Sequence, residues 1–272
     1  MGMRRAWLPT CMAALLLAVC ARPGFAAMTT LQQMRADQKI ADVHSIGVIA
    51  LAGQHVAVQT TGLTVFQNSL RYTPDTNWQL DPVIAADIVK ALAPRFNAVA
   101  IALPPDTIQK LPHAAFSSED SEIADVAHKV PGVPDVDAYL LVEGSGCNTG
   151  SKQFPDTAFV LLSGSAFGGT SPYTECVGMG TALIDAKSGS TIYFGLWLGP
   201  PTSISGKDPW GNEPSRHLPA GLSPPPENAP LTPEQSATLR ADFLSLAESG
   251  VVPSLKRIRL LPRDAGTEAI KK

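Results

Sequence analysis

Cys147 and Cys176 are the residues of this 272-residue chain whose type and context indicate the most definite chemistry. The other two cysteines, Cys11 and Cys20, fall in an apolar N-terminal segment with the features of an export signal. An even pair in an exported chain favours a disulfide, and both residues stand at the ends of predicted strands. We therefore predict a Cys147–Cys176 disulfide. Two free thiols are the alternative, and a metal site is disfavoured because no histidine lies near either cysteine in the sequence.

Patterns typical of catalysis are weak in this sequence. A nucleophile elbow needs Gly-x-Ser-x-Gly, and residues 164–168 carry the serine one place too early. A triad is defined by geometry, so the scattered histidines leave an unrecognised triad open as an alternative. These histidines are His44, His55, His113, His128 and His217. We predict no catalytic residue and no metal site, since His-x-x-x-His, Cys-x-x-Cys and aspartate-rich calcium loops do not occur.

A glycine-rich run after a predicted strand resembles part of a dinucleotide fingerprint. It reads Gly144-Ser-Gly-Cys-Asn-Thr-Gly150, so the third glycine comes one residue late. No amphipathic helix follows to direct its N-terminus at a pyrophosphate. We interpret the run as a loop or bulge at a strand end and predict no cofactor.

A proline-rich segment over residues 199–231 is the strongest candidate for partner binding. It holds nine prolines up to Pro230 and shows little periodicity. A loop of this length in a compact domain is either functional or disordered. Trp210 and the run Pro224, Pro225 and Pro226 would present an extended segment to a groove on a partner. A connection that is disordered, or that simply drapes over the surface, is the alternative.

The start of the chain predicts export. Basic residues precede a short apolar run, and small residues lead to a cleavage site after Ala26. The run is shorter than the ~20 apolar residues of a membrane-spanning helix. A lipid anchor at Cys20, after a lipobox-like Leu17-Ala-Val, is a minority alternative. We predict a periplasmic or secreted protein with no transmembrane segment after cleavage.

Charge argues against a nucleic-acid partner. The chain has 21 basic and 24 acidic residues, and the predicted signal contains three of the arginines and no acid. The mature chain would therefore carry 18 basic and 24 acidic residues, a net charge near −6. Non-specific binding to nucleic acid needs a basic face, which mild acidity does not favour.

The order of predicted elements indicates an α/β layered sandwich, with a mixed central sheet and amphipathic helices packed on it. Apolar runs predict buried strands at residues 46–52, 98–103 and 137–144, and strands around a tight turn are predicted at 55–60 and 62–66. Asp81 is predicted to cap one helix, Ser118 another over 119–129, and Thr232 a third that stops at Gly250. Residues 251–261 are predicted as an edge strand or tail. The domain boundaries are 1–26 signal peptide, 27–45 helix and linker, 46–261 one α/β domain, and 262–272 tail.

A β-hairpin over residues 181–197 is predicted at the centre of the sheet. Its turn, Asp185-Ala-Lys-Ser-Gly189, combines an aspartate that bonds to its own backbone with a glycine that tolerates positive φ. We assign Asp185 a structural role in the turn.

Two of these motifs carry a resemblance to known exported domains. Residues 137–144, Asp-Ala-Tyr-Leu-Leu-Val-Glu-Gly, and the hairpin segment 183–189 resemble the N-terminal domain of the TolB translocation protein. They are similar also to the lipoprotein domains of curli-secretion channels and penicillin-binding-protein activators. Residues 62–68 and 78–81 resemble a group of uncharacterised secreted proteins from proteobacteria.

The resemblance implies an α/β domain that binds partners in the cell envelope. We therefore predict a non-catalytic exported envelope protein that acts in protein binding or envelope assembly, with an envelope protein or polymer as its partner. The alternatives are a secreted hydrolase, whose triad is not visible in the sequence, and a small-ligand carrier.

Overall fold

The structure is a computed structural model. It describes residues 30–62, 68–104, 133–147, 157–166, 169–170, 172–196, 215–219, 222–224 and 229–262. The predicted signal peptide, Cys20, the helix predicted over residues 119–129 and the C-terminal tail from residue 263 lie outside these residues. Trp210, Pro225 and Pro226 also lie outside them. Within the described residues, no helix is long and apolar enough to cross a membrane.

Three helices and eleven strands make up the described fold. The helices are α1 (Thr30–Ala41), α2 (Leu80–Leu92) and α3 (Pro233–Arg257). The strands are β1 (Ser45–Leu51), β2 (Ala57–Gly62), β3 (Ser69–Tyr72), β4 (Asn97–Ala100), β5 (Ala138–Gly144), β6 (Phe159–Ala166), β7 (Gly169–Thr170), β8 (Thr174–Val177), β9 (Met179–Asp185), β10 (Thr191–Leu196) and β11 (Ser215–His217).

The strands form two mixed sheets. In the first sheet the order is β10-β9-β5-β1-β4, with β1 parallel to both β4 and β5 and β9 antiparallel to β5. In the second sheet the order is β11-β8-β6-β2-β3, with β2 parallel to β6 and β7 paired to β6. The predicted α/β sandwich is confirmed as a fold class. The single central sheet is wrong, because strands from both halves of the chain divide between two sheets.

The predicted hairpin exists but lies at an edge. Ser188 N–H donates to Oδ1 of Asp185 at 2.7 Å, and Gly189 has a φ of 65°, as the turn chemistry predicts. β9 and β10 pair as the two strands, and β10 is the outermost strand of the first sheet. The centre is β5, flanked by β1 and β9, because the continuous apolar runs of β1 and β5 suit positions covered on both faces.

Three local predictions are wrong for identifiable reasons. Asp81 lies inside the first turn of α2; the cap is Gln79, and Asp81 instead accepts a 2.7 Å hydrogen bond from Ala52 N–H. α3 does not stop at Gly250 but continues through Pro253, so residues 251–257 are helical and not a strand. Burial of Gly250 and Val251 in this turn outweighs their weak helix propensity.

The partner of β2 also differs from the prediction. β2 continues to Gly62 and pairs antiparallel with Ser69–Tyr72, whereas the predicted second strand began at Gly62. Residues 63–67 of that predicted strand lie outside the described residues.

One strand passes from one sheet into the other at Gly178. β8 in the second sheet and β9 in the first are separated by this residue alone. A line of backbone hydrogen bonds crosses here: Ser145 N–H donates to Gly178 O at 3.0 Å, Gly178 N–H to Ala158 O at 2.9 Å, and Ala158 N–H to Ala52 O at 2.7 Å. We call these four residues the sheet junction. It holds the end of β5 and the starts of β6 and β9 against the end of β1.

The sheet junction has no room for a side chain at Gly178. An added Cβ would collide with the backbone carbonyl of Gly146, which follows β5. The same holds for Gly144, where an added Cβ would collide with backbone atoms of Thr157 and Ala158. Backbone cannot move aside as a flexible side chain does, so both positions require glycine.

Replacement of Gly178 by alanine is expected to destabilise the protein by at least about 3 kcal/mol, because the new methyl group displaces backbone at the junction. The matched control is Gly195→Ala, where the added Cβ meets the Ile258 Cγ2 at 2.8 Å, a side-chain atom that has some freedom to move. Urea denaturation of both variants measures the two losses. Equal losses would show that the junction is not a special constraint.

Candidate functional site

A buried ionic cluster lies where β8, β11 and α3 meet. Its members are Glu175 on β8, Arg216 on β11 and Asp242 on α3, and we call it the acid–arginine cluster. Glu175 and Arg216 stand directly opposite each other in the antiparallel ladder. β11 belongs to the proline-rich segment, so the cluster connects that segment to the body of the fold.

The orientation of Glu175 follows from strand alternation. Cys176 lies opposite Val160 of β6, and Glu175 lies opposite Leu161. Successive side chains of a strand point to opposite faces of the sheet. Phe159 shares the face of Leu161 and contacts Phe243 of α3 at a ring separation of 5.3 Å. Glu175 therefore points toward α3, while Cys176 points away from it.

The disulfide holds β8 in this orientation. The structure places the sulfur atoms of Cys147 and Cys176 at bonding distance, with their Cα atoms 6.4 Å apart. Cys147 follows the end of β5 in the first sheet, and Cys176 lies in the second sheet. The predicted pairing thus links the two sheets beside the sheet junction. The glycines before Cys147 allow the close packing at this junction, since Gly146 lies against Gly178 and Gly144 lies against the backbone of Ala158.

Aromatic packing fixes the position of α3, the helix that carries Asp242. The rings of Trp78 and Phe243 lie 6.2 Å apart, and Trp78 Nε1–H donates to Ser236 Oγ at 2.8 Å. At the start of the helix, Thr232 and Gln235 form the predicted capping box. The position of Asp242 therefore depends on contacts at both ends of this half of α3.

Arg216 contacts both acids. Its Nη1 lies 3.1 Å from Asp242 Oδ1, and its Nη2 donates to the Asp242 backbone carbonyl at 2.9 Å. Its Nε lies 3.6 Å from Glu175 Oε2. The side chain of Glu175 is 0% exposed, against 20% for Asp242 and 36% for Arg216. The arginine thus binds the helix by close hydrogen bonds and the buried glutamate mainly by charge.

The two acids together lack hydrogen-bond donors. Both carboxyl oxygens of Glu175 and Oδ2 of Asp242 are buried without a donor. Two carboxylates cannot donate to each other, but a protonated Glu175 donates its O–H to Asp242. Burial first, and then the negative charge of Asp242, raise the pKa of Glu175 to about 8, although Arg216 opposes this shift. Below that pH, Glu175 is a neutral donor and not a buried charge.

The cluster anchors the proline-rich segment at one of several points. β11 pairs with β8 through residues 215–217, and Leu218 N–H donates to the Tyr173 carbonyl at 2.8 Å. Farther along, Gln235 Nε2 donates to the Ser223 carbonyl at 3.0 Å. Of the predicted binding residues, Pro224 follows this anchored serine; Trp210, Pro225 and Pro226 lie outside the described residues.

The described histidines occupy three separate places. His55 Nδ1 lies 3.6 Å from Asp75 Oδ1, with the His55 ring edge-on to Tyr72. His217 Nδ1 lies 3.5 Å from Thr174 Oγ1. The backbone N–H of His44 donates to Asp137 at 2.9 Å. Among the described residues, no group of three or more histidine, cysteine or acidic side chains is placed to hold a metal ion.

Sequence reasoning missed the acid–arginine cluster. Its three residues come from distant parts of the chain, and the proline-rich composition around Arg216 hides a three-residue strand. The available signal was Glu175 itself, an acid next to Cys176 in a strand-length run. An ionisable residue in a buried strand requires a partner, which indicates a polar site.

Comparisons with known proteins show no family. No protein-family model matches the chain, and no curated protein matches it. Among solved structures, the crystal structure of lipoprotein GNA1162 from Neisseria meningitidis aligns with 74% of this chain and 96% of its own, at 10% identity and a TM-score of 0.27. A likeness this weak carries no argument about this chain. The resemblance to TolB and to the envelope lipoproteins stays a prediction.

The raised pKa of Glu175 makes stability depend on pH. Because this pKa is 4.5 before folding and about 8 after it, the folded state binds more protons between these values. The free energy of unfolding therefore falls as pH rises, by up to about 1.4 kcal/mol per pH unit. Asp81, whose pKa burial raises to about 6, adds a change of the same sign only at lower pH.

Glu175→Gln is expected to remove this slope between pH 6.5 and 8. Glutamine keeps the shape and donates to Asp242 without titrating. Urea denaturation at several pH values compares it with the wild type, so that the other titrating groups cancel. Glu248→Gln, an exposed change on α3, is the control and should keep the wild-type slope. A Glu175→Gln slope equal to that of the wild type would contradict a raised pKa for Glu175.

Proposed function

We propose that this protein is an exported cell-envelope protein that binds another protein or an envelope polymer through its proline-rich segment. The observation that carries the proposal is the anchoring of that segment. Its strand β11 pairs with β8, and Arg216 joins it to α3 through Asp242. This anchoring holds the described part of the segment at a fixed place on the fold, which supports a role in binding.

Anchoring lowers the entropic penalty of binding. β10 ends at Leu196 and β11 begins at Ser215, so both ends of the intervening residues 197–214 are held by strands. Four prolines in this stretch restrict its backbone further. A segment that is restrained before it meets a partner loses less conformational freedom on binding. Trp210, in the same stretch, supplies the large amphipathic side chain typical of binding hot spots.

The cysteine pair supports export. A disulfide persists in an oxidising compartment and is rare in the cytosol. The bonding distance between Cys147 and Cys176 therefore agrees with the signal peptide that the sequence predicts. The link between the sheets would also stabilise a scaffold that works outside the cytosol.

Site-specific photo-crosslinking in intact bacteria that export the protein tests the proposal. A photoreactive amino acid at Trp210 is expected to give a crosslinked product of one discrete mass. The control places the same amino acid at Val252, an exposed position on α3 that is 43% accessible, where no such product is expected. Excess synthetic peptide of residues 199–230 should suppress the product, because it competes for the same partner.

Two results would contradict the proposal. One is the absence of a product at position 210, or equal products at both positions. The other is turnover of a model ester or peptide by the purified protein without any crosslinked product, which would favour the hydrolase.

A further inference from the structure

The geometry points to a control on this same segment: we propose that one proton, held by Glu175, latches β11, the strand of the proline-rich segment, onto the second sheet and α3. The biological meaning of this latch rests on the proposed function, because only a binding segment gains from controlled release. The latch itself is a property of the acid–arginine cluster and is testable without a partner.

Charge counting shows why one proton decides the state of the cluster. With Glu175 protonated, the cluster holds one negative charge on Asp242 and one positive charge on Arg216. The Glu175 O–H then supplies a donor for Asp242 Oδ2, which otherwise has none. Without the proton, two carboxylates share one guanidinium, so the cluster has a net charge of −1 and its fully buried member, Glu175, is charged. An uncompensated buried charge is strongly unfavourable, so the deprotonated cluster favours opening.

The groups that face Glu175 are few among the described residues. β11 contributes Arg216, α3 contributes Asp242, and β6 contributes the apolar Leu161. Farther along the same row of the sheet, beyond Leu161 and Val58, stands Arg71 of β3. Three strand spacings, roughly 14 Å between backbones, separate Arg71 from Glu175. The guanidinium of Arg216 is the positive charge that acts on Glu175.

β11 is the element that loss of the proton releases. It is a three-residue strand at the edge of its sheet, and it pairs only with β8 among the described strands. The alternative opening, movement of α3, would break the packing of Phe243 against Trp78 and Phe159. Release of β11 disturbs none of these aromatic contacts. It separates Arg216 from both acids and admits water to Glu175.

The pH dependence of release follows from linkage. In the open state water reaches Glu175, so we expect its pKa to return toward the ordinary value of 4.5 from about 8 in the closed state. The closed state therefore binds the extra proton between these values. The equilibrium constant for opening rises about tenfold per pH unit in this window and levels off above pH 8. The latch is closed in mild acid and weakens as the medium becomes alkaline.

Hydrogen–deuterium exchange of the full chain, without any partner, tests the latch. Protection of the β11 amides is measured at pH 6 and pH 8 and corrected for the intrinsic rate of exchange. In the wild type, protection is expected to fall by roughly 50-fold between these pH values. In Glu175→Gln it should stay nearly constant, and in the Glu248→Gln control it should fall as in the wild type.

A second variant keeps the test valid if Glu175→Gln folds poorly. Asp242→Asn removes the negative charge that raises the pKa of Glu175, so the loss of protection should move to lower pH. Equal changes of β11 protection in the wild type and Glu175→Gln would overturn the latch, as would an Asp242→Asn variant whose protection levels off at the same pH as that of the wild type.

These exchange results are independent of the partner. If the latch fails while Trp210 still gives its crosslinked product, the binding role stands and only its control is wrong. If exchange shows the latch but crosslinking gives no product, the latch stands as a property of the fold and the binding role is wrong.

Discussion

The peptide group of Gly178 is where two sheets share one strand, and the arrangement of the fold depends on how closely backbones approach there. Hydrogen bonds connect Gly178 to Ser145 on one side and to Ala158 on the other. This approach requires that Gly178 carry no side chain. Because β8 and β9 continue through one residue, the strand pairing of the first sheet determines the position and facing of β8 in the second. The disulfide beside the junction secures the same relation by a covalent bond.

The acid–arginine cluster is a consequence of this constraint. Because Cys176 points toward Cys147, strand alternation directs Glu175 toward α3. There the Glu175 side chain is fully buried, and water cannot solvate its charge. The fold resolves this conflict by keeping the glutamate neutral and by setting Arg216 across from it. The arginine arrives on a strand of the proline-rich segment. The structural constraint at Gly178 therefore leads to the contact that anchors β11 of the proline-rich segment to α3.

Local signals predicted the parts of this structure that depend on neighbouring residues. The Asp185–Gly189 turn, the Thr232 capping box and the buried strands predicted at 46–52 and 137–144 are each encoded within a few residues, and each is found. The buried strand predicted at 98–103 is wrong, because β4 spans Asn97–Ala100 at the edge of its sheet and none of its residues is buried. The cysteine pairing followed from counting the cysteines of a chain that the sequence predicts to be exported. Predictions that ignored tertiary contacts were wrong: Asp81 has the type of a cap, but a backbone N–H from Ala52 recruits it elsewhere.

The two sheets and the cluster were not predictable, because they depend on pairing between residues far apart in sequence.

The most direct test of the account is a pH titration of the Glu175 side-chain carboxyl by ¹³C NMR, assigned by comparison with Glu175→Gln. The account predicts a midpoint of about 8, because burial and Asp242 hold the proton on this residue. A midpoint near the ordinary value of 4.5 would mean that Glu175 is charged in the folded protein, and it would contradict the central claim.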